Sequence, residues 1–244
     1  MCRLFSSISK EPISISHWFF DAQPHPFKEF SERKINGGPH DDGWGVAWTI
    51  DGKWEIFKEG KREKYDFSRI NGLESRLFIA HLRKASVGRK TTANAHPFQY
   101  KNWIFAHNGG TDKEKLFECL NGTFRNAIQS ETDSEIFFLL IMQFYEETKD
   151  LVAALRRTVS RIKTMEYRGL NFLLSDGQNM YAYRDVSPKH IDLCDYYSLY
   201  YLQENDNVIF SSDPLDNDKS WKSIGLGELI EVNRNLDLTS HTII

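Results

Sequence analysis

The chain of 244 residues is 40% hydrophobic and carries 31 Lys and Arg residues against 34 Asp and Glu residues. This length and composition predict one large domain, residues 1–244, with a sizeable buried core. The net charge of -3 gives no broad attraction to phosphate backbones or anionic lipid, so no nucleic-acid partner is expected. The sequence starts without the apolar run of a signal peptide, and no later stretch approaches a membrane-spanning length. We therefore expect a cytoplasmic protein with no membrane partner.

The first half of the chain is predicted to be mostly β-structure. Runs rich in β-branched and aromatic residues predict strands at Cys2–Ile8, Trp44–Ile50, Trp54–Lys58, Leu77–Leu82 and Trp103–His107. A stretch rich in Gly, Pro and Asp, from Gly37 to Gly45, predicts a loop.

Two helices are predicted next, at about Ser134–Glu147 and Leu151–Met165, the first opened by a capping box at Thr132–Glu135. Further strands are predicted at Asn171–Ser175, Met180–Arg184, Leu199–Leu202, Val208–Ser211 and Glu228–Val232. The order of sheet, helices and sheet favours an α+β fold, in which two sheets pack face to face and helices cover an outer face.

The cysteines predict reduced thiols. Cys2, Cys119 and Cys194 are odd in number, far apart and outside any C-x-x-C pair, which argues against a disulfide framework and a thiolate metal site.

Cys2 follows Met1 directly, and its position is the feature that points to chemistry. A cysteine near a terminus is more often a small buried hydrophobe than a nucleophile. Removal of Met1, however, would place a thiol and an α-amine of pKa about 7.7–8.0 on one residue. Such an amine can accept the thiol proton and later return it to a departing nitrogen. Cys2 is therefore predicted to be an N-terminal nucleophile that attacks an amide.

Asn108 and Gly109 follow a predicted strand, in the run Phe105–Gly110. Asn-Gly most often marks a tight turn. The alternative is that the Asn108 side-chain amide and the Gly109 N–H point at a developing oxyanion, which acyl transfer requires.

Arg83 and Asp133 are the expected substrate-binding residues. Arg83 ends a strand-like run, and Asp133 lies in the capping box, where interaction with the helix N-terminus would already explain it. Beside a nucleophilic Cys2, the two charges suit a substrate with an α-carboxylate, an α-ammonium and a distal amide. That substrate is glutamine or another γ-glutamyl compound.

The sequence resembles a class II glutamine amidotransferase of the N-terminal nucleophile hydrolase superfamily, in its stand-alone form. The shared landmarks, in chain order, are Cys2-Arg3-Leu4, His40-Asp41-Asp42-Gly43-Trp44-Gly45, His81-Leu82-Arg83, Asn94-Ala95-His96-Pro97-Phe98, Ala106-His107-Asn108-Gly109, Glu131-Thr132-Asp133-Ser134-Glu135, Asn171-Phe172-Leu173-Leu174-Ser175-Asp176-Gly177 and Ser212-Asp213-Pro214-Leu215. They span nearly the whole chain. Any one of them is weak evidence, but their shared order is specific.

This resemblance implies a four-layer αββα sandwich of two mostly antiparallel sheets flanked by helices. It implies Cys2 as nucleophile, Asn108 and Gly109 as oxyanion hole, and Arg83 and Asp133 as ligands of the glutamine backbone charges. It implies neither a metal nor a cofactor. The sequence departs from the synthase-linked enzymes directly after Arg83, where those enzymes have Trp-Ala-Thr-His and this chain has Lys84-Ala85-Ser86-Val87.

Two histidine-containing groups have alternative interpretations. His40, Asp41 and Asp42 could be drawn as metal ligands, but a Gly-flanked acidic turn explains them better. His96 and His107 suggest a triad with Cys2, yet an N-terminal amine makes a histidine base unnecessary. Structural hydrogen bonding is their expected role.

The resemblance accounts for nearly all of the chain, which leaves the fate of the released ammonia open. One interpretation is a hydrolase that cleaves γ-glutamyl amides through a Cys2 thioester. A second is an amidotransferase subunit that supplies ammonia to a separate synthase. A third is a catalytically silent glutamine- or glutamate-binding protein, which the presence of all five site residues disfavours.

Overall fold

The fold is described from a computed structural model, which covers residues 2–32 and 39–243. Its strands are β1 Arg3–Ser14, β2 Gly43–Ile50, β3 Lys53–Gly60, β4 Glu74–Leu82, β5 Phe98–Tyr100, β6 Trp103–Thr111, β7 Tyr167–Ser175, β8 Met180–Arg184, β9 Tyr200–Gln203, β10 Asn207–Ser211, β11 Lys222–Ser223, β12 Glu228–Val232 and β13 Leu238–Thr242. Its α-helices are α1 Lys113–Cys119, α2 Gly122–Arg125, α3 Asp133–Thr148 and α4 Leu151–Ile162. Within this part of the chain, no helix combines the length and apolar character needed to cross a membrane.

The strands form two sheets, and their neighbours pair antiparallel. The first sheet has the order β11-β9-β10-β1-β4-β2-β3, and the second has the order β13-β12-β8-β7-β6-β5. In the first sheet Arg3 pairs with Leu82. Cys2 precedes β1 by one residue and Arg83 follows β4 by one residue, so the two lie next to each other at the same end of these antiparallel strands.

Three apolar layers hold the sheets and helices together. Leu4, Ile79 and Leu173 belong to the layer that alternating strand residues form between the sheets. A second layer packs α3 and α4 on the outer face of the second sheet. The third covers the outer face of the first sheet with a π-helical turn at His17–Asp21 and a 3₁₀ turn at Phe27–Ser31. The predicted four-layer sandwich is confirmed, although short helical turns rather than α-helices cover the first sheet.

The start of α3 fixes the position of Asp133, its first residue. Thr132 is the N-cap, and its hydroxyl accepts a hydrogen bond from the Glu135 backbone N–H at 3.3 Å. The Glu135 carboxylate does not close the predicted box onto Thr132. It accepts hydrogen bonds from the backbone N–H groups of Gln129 and Ser130 instead. The cap is therefore present in a wider form, and it orders the turn that precedes the helix.

The structure extends most predicted elements and adds several that were missed. The strand predicted at Cys2–Ile8 runs from Arg3 to Ser14. The elements missed from the sequence are α1, α2, β5, β11 and β13. The predicted Gly37–Gly45 loop lies partly outside the described residues, and its last three positions belong to β2, which begins at Gly43.

Candidate active site

Cys2 lies just before β1 and is partly buried. Its backbone nitrogen donates a hydrogen bond to Asn108 Oδ1 at 3.0 Å, and its Sγ lies 3.7 Å from the Lys84 carbonyl oxygen. Burial raises the pKa of the Cys2 thiol above its ordinary value. The thiol is therefore protonated at neutral pH, so nucleophilic attack would need a base close to the sulfur.

Asn108 is fully buried near the end of β6, opposite Asn171 of β7. Because the Cys2 nitrogen donates to Oδ1, the side-chain amide must direct its Nδ2 group to the other side. Nδ2 has no hydrogen-bond partner among residues 2–32 and 39–243. A buried donor without a protein partner is costly, so the location of this donor beside Cys2 suits an oxyanion.

Gly109 packs too closely for any side chain. A Cβ at this position would overlap the Gly169 carbonyl oxygen and the His107 ring. The β6–β7 pairing becomes irregular between Gly109 and Thr111. Glycine is therefore required by close backbone approach, and a backbone irregularity follows the Asn108–Gly109 segment.

Arg83 is almost fully buried and holds the loop that follows it. Its guanidinium donates to the carbonyl oxygens of Val87 at 2.7 Å and Arg89 at 3.0 Å. These bonds use two of the five guanidinium N–H groups. The loop is fixed at its far end by Asn94, which donates to the Arg89 carbonyl oxygen at 2.8 Å, and by Glu131, which pairs with Arg89.

Asp133 lines a cavity of about 520 Å³ together with Gly110, Thr111 and Arg168. Its Oδ2 accepts hydrogen bonds from the Thr111 backbone N–H at 2.7 Å and the Thr111 hydroxyl at 3.2 Å. The carboxylate is thereby oriented at the cavity wall. Asp133 and Arg83 both act electrostatically on the Cys2 thiol, and in opposite directions.

Residues at the start of β1 anchor the chain directly after Cys2, and the sequence predicted no role for any of them. Arg3 is buried; its Nε lies 3.1 Å from Asp213 Oδ2, and its guanidinium lies 4.8 Å from the Tyr196 ring centre. The Leu4 backbone N–H donates to the Ser212 hydroxyl at 2.9 Å. One sequence signal could have indicated these contacts, namely the landmark Ser212-Asp213-Pro214-Leu215. Its first two residues contact the chain directly after Cys2.

The prediction for the two histidines is confirmed for His107 and wrong for His96. His107 Nε2 lies 3.2 Å from the Gly169 carbonyl oxygen, and its Nδ1 lies 3.0 Å from Ser134 Oγ. Because a carbonyl can only accept, Nε2 carries the proton and Nδ1 accepts from the Ser134 hydroxyl. Neither ring nitrogen of His96 has a hydrogen-bond partner in the described part of the chain. Its ring lies against that of His81 instead, with 4.0 Å between the ring centroids and a tilt of 32°.

The acidic pair after His40 contacts lysines. Asp42 pairs with Lys90 at 2.5 Å and accepts a hydrogen bond from the Ala85 backbone N–H at 2.9 Å. Asp41 pairs with Lys61 at 3.1 Å. The Asp42 contacts tie the segment before β2 to the loop after Arg83, and the Asp41 contact ties it to the residue that follows β3. His40 Nδ1 lies 3.0 Å from the Phe30 carbonyl oxygen.

Comparison with known proteins assigns this arrangement to a family. The sequence profile of the class-II glutamine amidotransferases matches residues 1–241. The chain belongs to this family. The Escherichia coli (strain K12) protein YafJ, which has a provisional glutamine amidotransferase name, is 27% identical over 93% of this chain and 96% of its own length. The gamma-glutamyl-hercynylcysteine sulfoxide hydrolase of Mycolicibacterium smegmatis is 26% identical over 82% of this chain and 81% of its own length.

Solved structures give the same fold. A glutamine aminotransferase class-II domain protein from Silicibacter pomeroyi matches with a TM-score of 0.67 at 21% identity and covers 100% of both chains. The glutamine phosphoribosylpyrophosphate amidotransferase of B. subtilis matches with a TM-score of 0.71 at 17% identity, over 100% of this chain and 49% of that one. As a class-II glutamine amidotransferase with hydrolase relatives, the protein is an enzyme, and its α+β sandwich is the family fold.

Proposed function

We propose that this class-II glutamine amidotransferase hydrolyses the side-chain amide of glutamine or a related γ-glutamyl compound through a thioester on Cys2. The contact between the Cys2 nitrogen and Asn108 Oδ1, at 3.0 Å, carries the proposal. It fixes the orientation of the Asn108 amide and leaves the buried Nδ2 donor beside the nucleophile. In the active form, residue 2 would be the first residue and this nitrogen its α-amine.

Acylation begins when the α-amine takes the proton from the Cys2 thiol. The sulfur then attacks the γ-carbonyl carbon, and the carbonyl π electrons move to oxygen. The resulting oxyanion accepts hydrogen bonds from Asn108 Nδ2 and the Gly109 N–H. When the tetrahedral intermediate collapses, the C–N bond breaks, the α-ammonium protonates the departing nitrogen, and a γ-glutamyl thioester remains.

Deacylation uses the same groups with water as the nucleophile. The neutral α-amine takes a proton from water as it attacks the thioester carbonyl, and the same donors meet the second oxyanion. The C–S bond then breaks, the sulfur recovers a proton from the α-ammonium, and glutamate leaves. One amide and one water give one amine and one glutamate.

Recognition of the glutamyl group is proposed to rest on Arg83 and Asp133. The buried Arg83 guanidinium suits the α-carboxylate, and the oriented Asp133 carboxylate suits the α-ammonium. The relationship to a gamma-glutamyl-hercynylcysteine sulfoxide hydrolase supports a γ-glutamyl compound larger than glutamine, with water as the acceptor.

The test is glutamate release from a panel of γ-glutamyl amides and peptides, glutamine included, measured beside the intact mass of the protein. Protein that begins at Cys2 should turn over a member of the panel, and a glutamine-analogue diazo-ketone should label Cys2. Cys2→Ala should abolish both labelling and hydrolysis. Full turnover by Cys2→Ala, or by a homogeneous sample that retains Met1, would refute the mechanism, since an amide nitrogen has no useful basicity.

A partner-dependent amidotransferase is the second interpretation, and relatives such as the glutamine–fructose-6-phosphate aminotransferase of Halalkalibacterium halodurans support it. That protein is 34% identical over 50% of this chain and 21% of its own length. Such a subunit would have weak glutaminase activity alone and higher activity with its synthase. High turnover of a γ-glutamyl peptide by the isolated chain would favour the hydrolase.

A further inference from the structure

The proposed path of the substrate crosses the ends of both sheets. Asp133 begins α3, which packs on the outer face of the second sheet. Asn108 lies on β6 of that sheet, and Cys2 immediately precedes β1 of the first sheet. A glutamyl group held at Asp133 and attacked by Cys2 would therefore run from the second sheet towards the first. Continued beyond Cys2, this path leads the departing amine towards the outer face of the first sheet.

Lys84 follows Arg83 directly and lies on that outer face. The backbone stays extended past the end of β4, since the Arg83 N–H donates to the Gly43 carbonyl oxygen at 2.8 Å. Successive side chains of an extended chain point to opposite faces, so Lys84 shares a face with Leu82. Leu82 belongs to the apolar layer that covers the outer face of the first sheet.

Contacts of the Lys84 backbone and charge agree with this position. The Lys84 carbonyl oxygen lies 3.7 Å from Cys2 Sγ, so its side chain starts close to the bond that Cys2 would break. Arg3 lies on the same face, with its guanidinium 5.5 Å from the Phe30 ring centre. Burial lowers the pKa of His40 most, and the charges of Arg3 and Lys84 add to the effect. Lys84 therefore places its charge near Arg3 and His40, on the side of Cys2 away from Asp133.

The charges on this face favour an anion. The charge of Arg3 is balanced by Asp213 at 3.1 Å, and Lys84, which is partly exposed, adds a further positive charge. This chain departs here from the synthase-linked enzymes, which have an uncharged tryptophan in place of Lys84. An amino acid that leaves from a γ-glutamyl group carries a carboxylate one carbon away from the departing nitrogen, whereas ammonia carries none.

We propose that the Lys84 ammonium binds a carboxylate on the departing amine, so that the preferred substrates are γ-glutamyl amino acids or peptides rather than glutamine. This inference rests on the proposed function, to which it adds the class of leaving group and a specificity-determining residue.

The experiment compares γ-glutamylglycine with γ-glutamylmethylamide, which differs from it by the loss of one carboxylate. Glutamate release gives kcat/KM for both compounds, and the parent enzyme should prefer γ-glutamylglycine. Lys84→Met should lower kcat/KM for γ-glutamylglycine by about 10-fold, the lower end of the usual loss for a hydrogen bond between charged groups. For γ-glutamylmethylamide the change should be less than about two-fold. Lys84→Arg keeps the positive charge and should retain most of the preference.

Lys10→Met is the matched control. Lys10 lies on β1 beyond the part that packs beside Cys2, and its Nζ pairs with Asp206 at 3.5 Å. Its replacement should leave both kcat/KM values unchanged. Equal losses on the two compounds from Lys84→Met, or a parent enzyme without preference for γ-glutamylglycine, would overturn the proposal.

Failure of the parent enzyme to release glutamate from either compound or from glutamine would refute the hydrolysis mechanism instead. The same comparison by calorimetry on protein carrying Cys2→Ala would then decide the role of Lys84, because binding needs no turnover. Tighter binding of γ-glutamylglycine that Lys84→Met removes would support the contact, and equal affinities for the two compounds would refute it.

Discussion

Asn108 and Asp133 are both oriented by a hydrogen bond to the protein backbone through one side-chain oxygen. Asn108 Oδ1 accepts from the Cys2 nitrogen, and Asp133 Oδ2 accepts from the Thr111 N–H. Such fixed polar groups need no reorganisation when charge develops on a substrate. Each therefore lends itself to a substitution that changes one chemical property and keeps the fold.

The first prediction concerns Asn108→Ala, which removes the proposed oxyanion donor. We expect kcat to fall by about 100- to 1,000-fold with a smaller change in KM, because the Nδ2 group meets charge that appears only in the tetrahedral intermediate. Steady-state kinetics on the best γ-glutamyl substrate measures this, with circular dichroism to verify the fold. An effect confined to KM would instead assign Asn108 to ground-state binding.

The second prediction concerns Asp133→Asn, which keeps an oxygen to accept from Thr111 and removes the charge. KM should rise by about 10-fold or more, since a hydrogen-bonded partner of the α-ammonium is lost. Asp150→Asn is the control, because the Asp150 carboxylate likewise accepts a backbone hydrogen bond at the start of a helix, from the Ala153 N–H at 3.1 Å, and does not line the cavity that Asp133 lines. Wild-type kcat/KM for Asp133→Asn on every substrate would show that the role of Asp133 is confined to its hydrogen bonds with Thr111.

At the scale of elements, patterning predicted the strands that build the site better than the contacts that hold it. Strands β2, β4 and β6 have alternating apolar and polar residues or are strongly apolar, and each of them was predicted from the sequence. Strand β13, Leu238–Thr242, is largely polar and mostly exposed, so it gave no pattern. The Arg3–Asp213 contact joins residues distant in the chain, and no local signal encodes such a pairing.

The Arg3–Asp213 contact is expected to anchor Cys2. Arg3→Met and Asp213→Asn should each lower kcat by about 10-fold, because small displacements of a reacting group are costly in rate. KM should change little, since neither side chain is proposed to touch the substrate. The rate of diazo-ketone labelling of Cys2 should fall in parallel, which a purely structural role would not require.

The double variant decides whether Arg3 and Asp213 act together. If they form one anchor, the double variant Arg3→Met with Asp213→Asn should have about the same kcat as the slower single variant. The effects of substituting two interacting residues do not add. Multiplicative losses would mean that the two residues act independently.

At the scale of the whole molecule, the sandwich buries several histidines as neutral groups. His40, His81, His96 and His107 are each at most 2% exposed. Burial lowers the pKa of His40 from 6.5 to about 3, with help from the Arg3 charge, and holds those of His81 and His96 well below 6.5. A shared apolar layer joins the two sheets, so we propose that residues 1–244 unfold as one unit.

These histidines make the stability of the folded protein depend on pH. Below pH 6.5 these histidines bind protons in the unfolded chain but stay neutral in the folded protein. Their contribution to the free energy of unfolding is therefore fully present above about pH 6.5 and is lost as the pH falls. Each imidazole that stays uncharged in the folded protein removes up to about 1.4 kcal/mol of stability per pH unit below about pH 6.5. Carboxylates affect the stability only at lower pH. The contacts with Arg89 lower the pKa of Glu131 from 4.5 to about 2, so the stability that Glu131 contributes is lost only at a pH more acidic than that at which the histidines act.

Urea unfolding at pH 7.5, 6 and 5, with proton uptake measured on unfolding, checks this assignment. The urea midpoint should fall steeply below pH 6.5, and unfolding near pH 5 should be accompanied by net uptake of protons. His96→Phe keeps an aromatic ring beside His81 and should reduce the uptake by about one proton, since the ring nitrogens of His96 have no hydrogen-bond partner among the described residues. A midpoint that stays constant from pH 7.5 to 5 would show that the interior accepts the charged imidazoles, contrary to the effect expected from their burial.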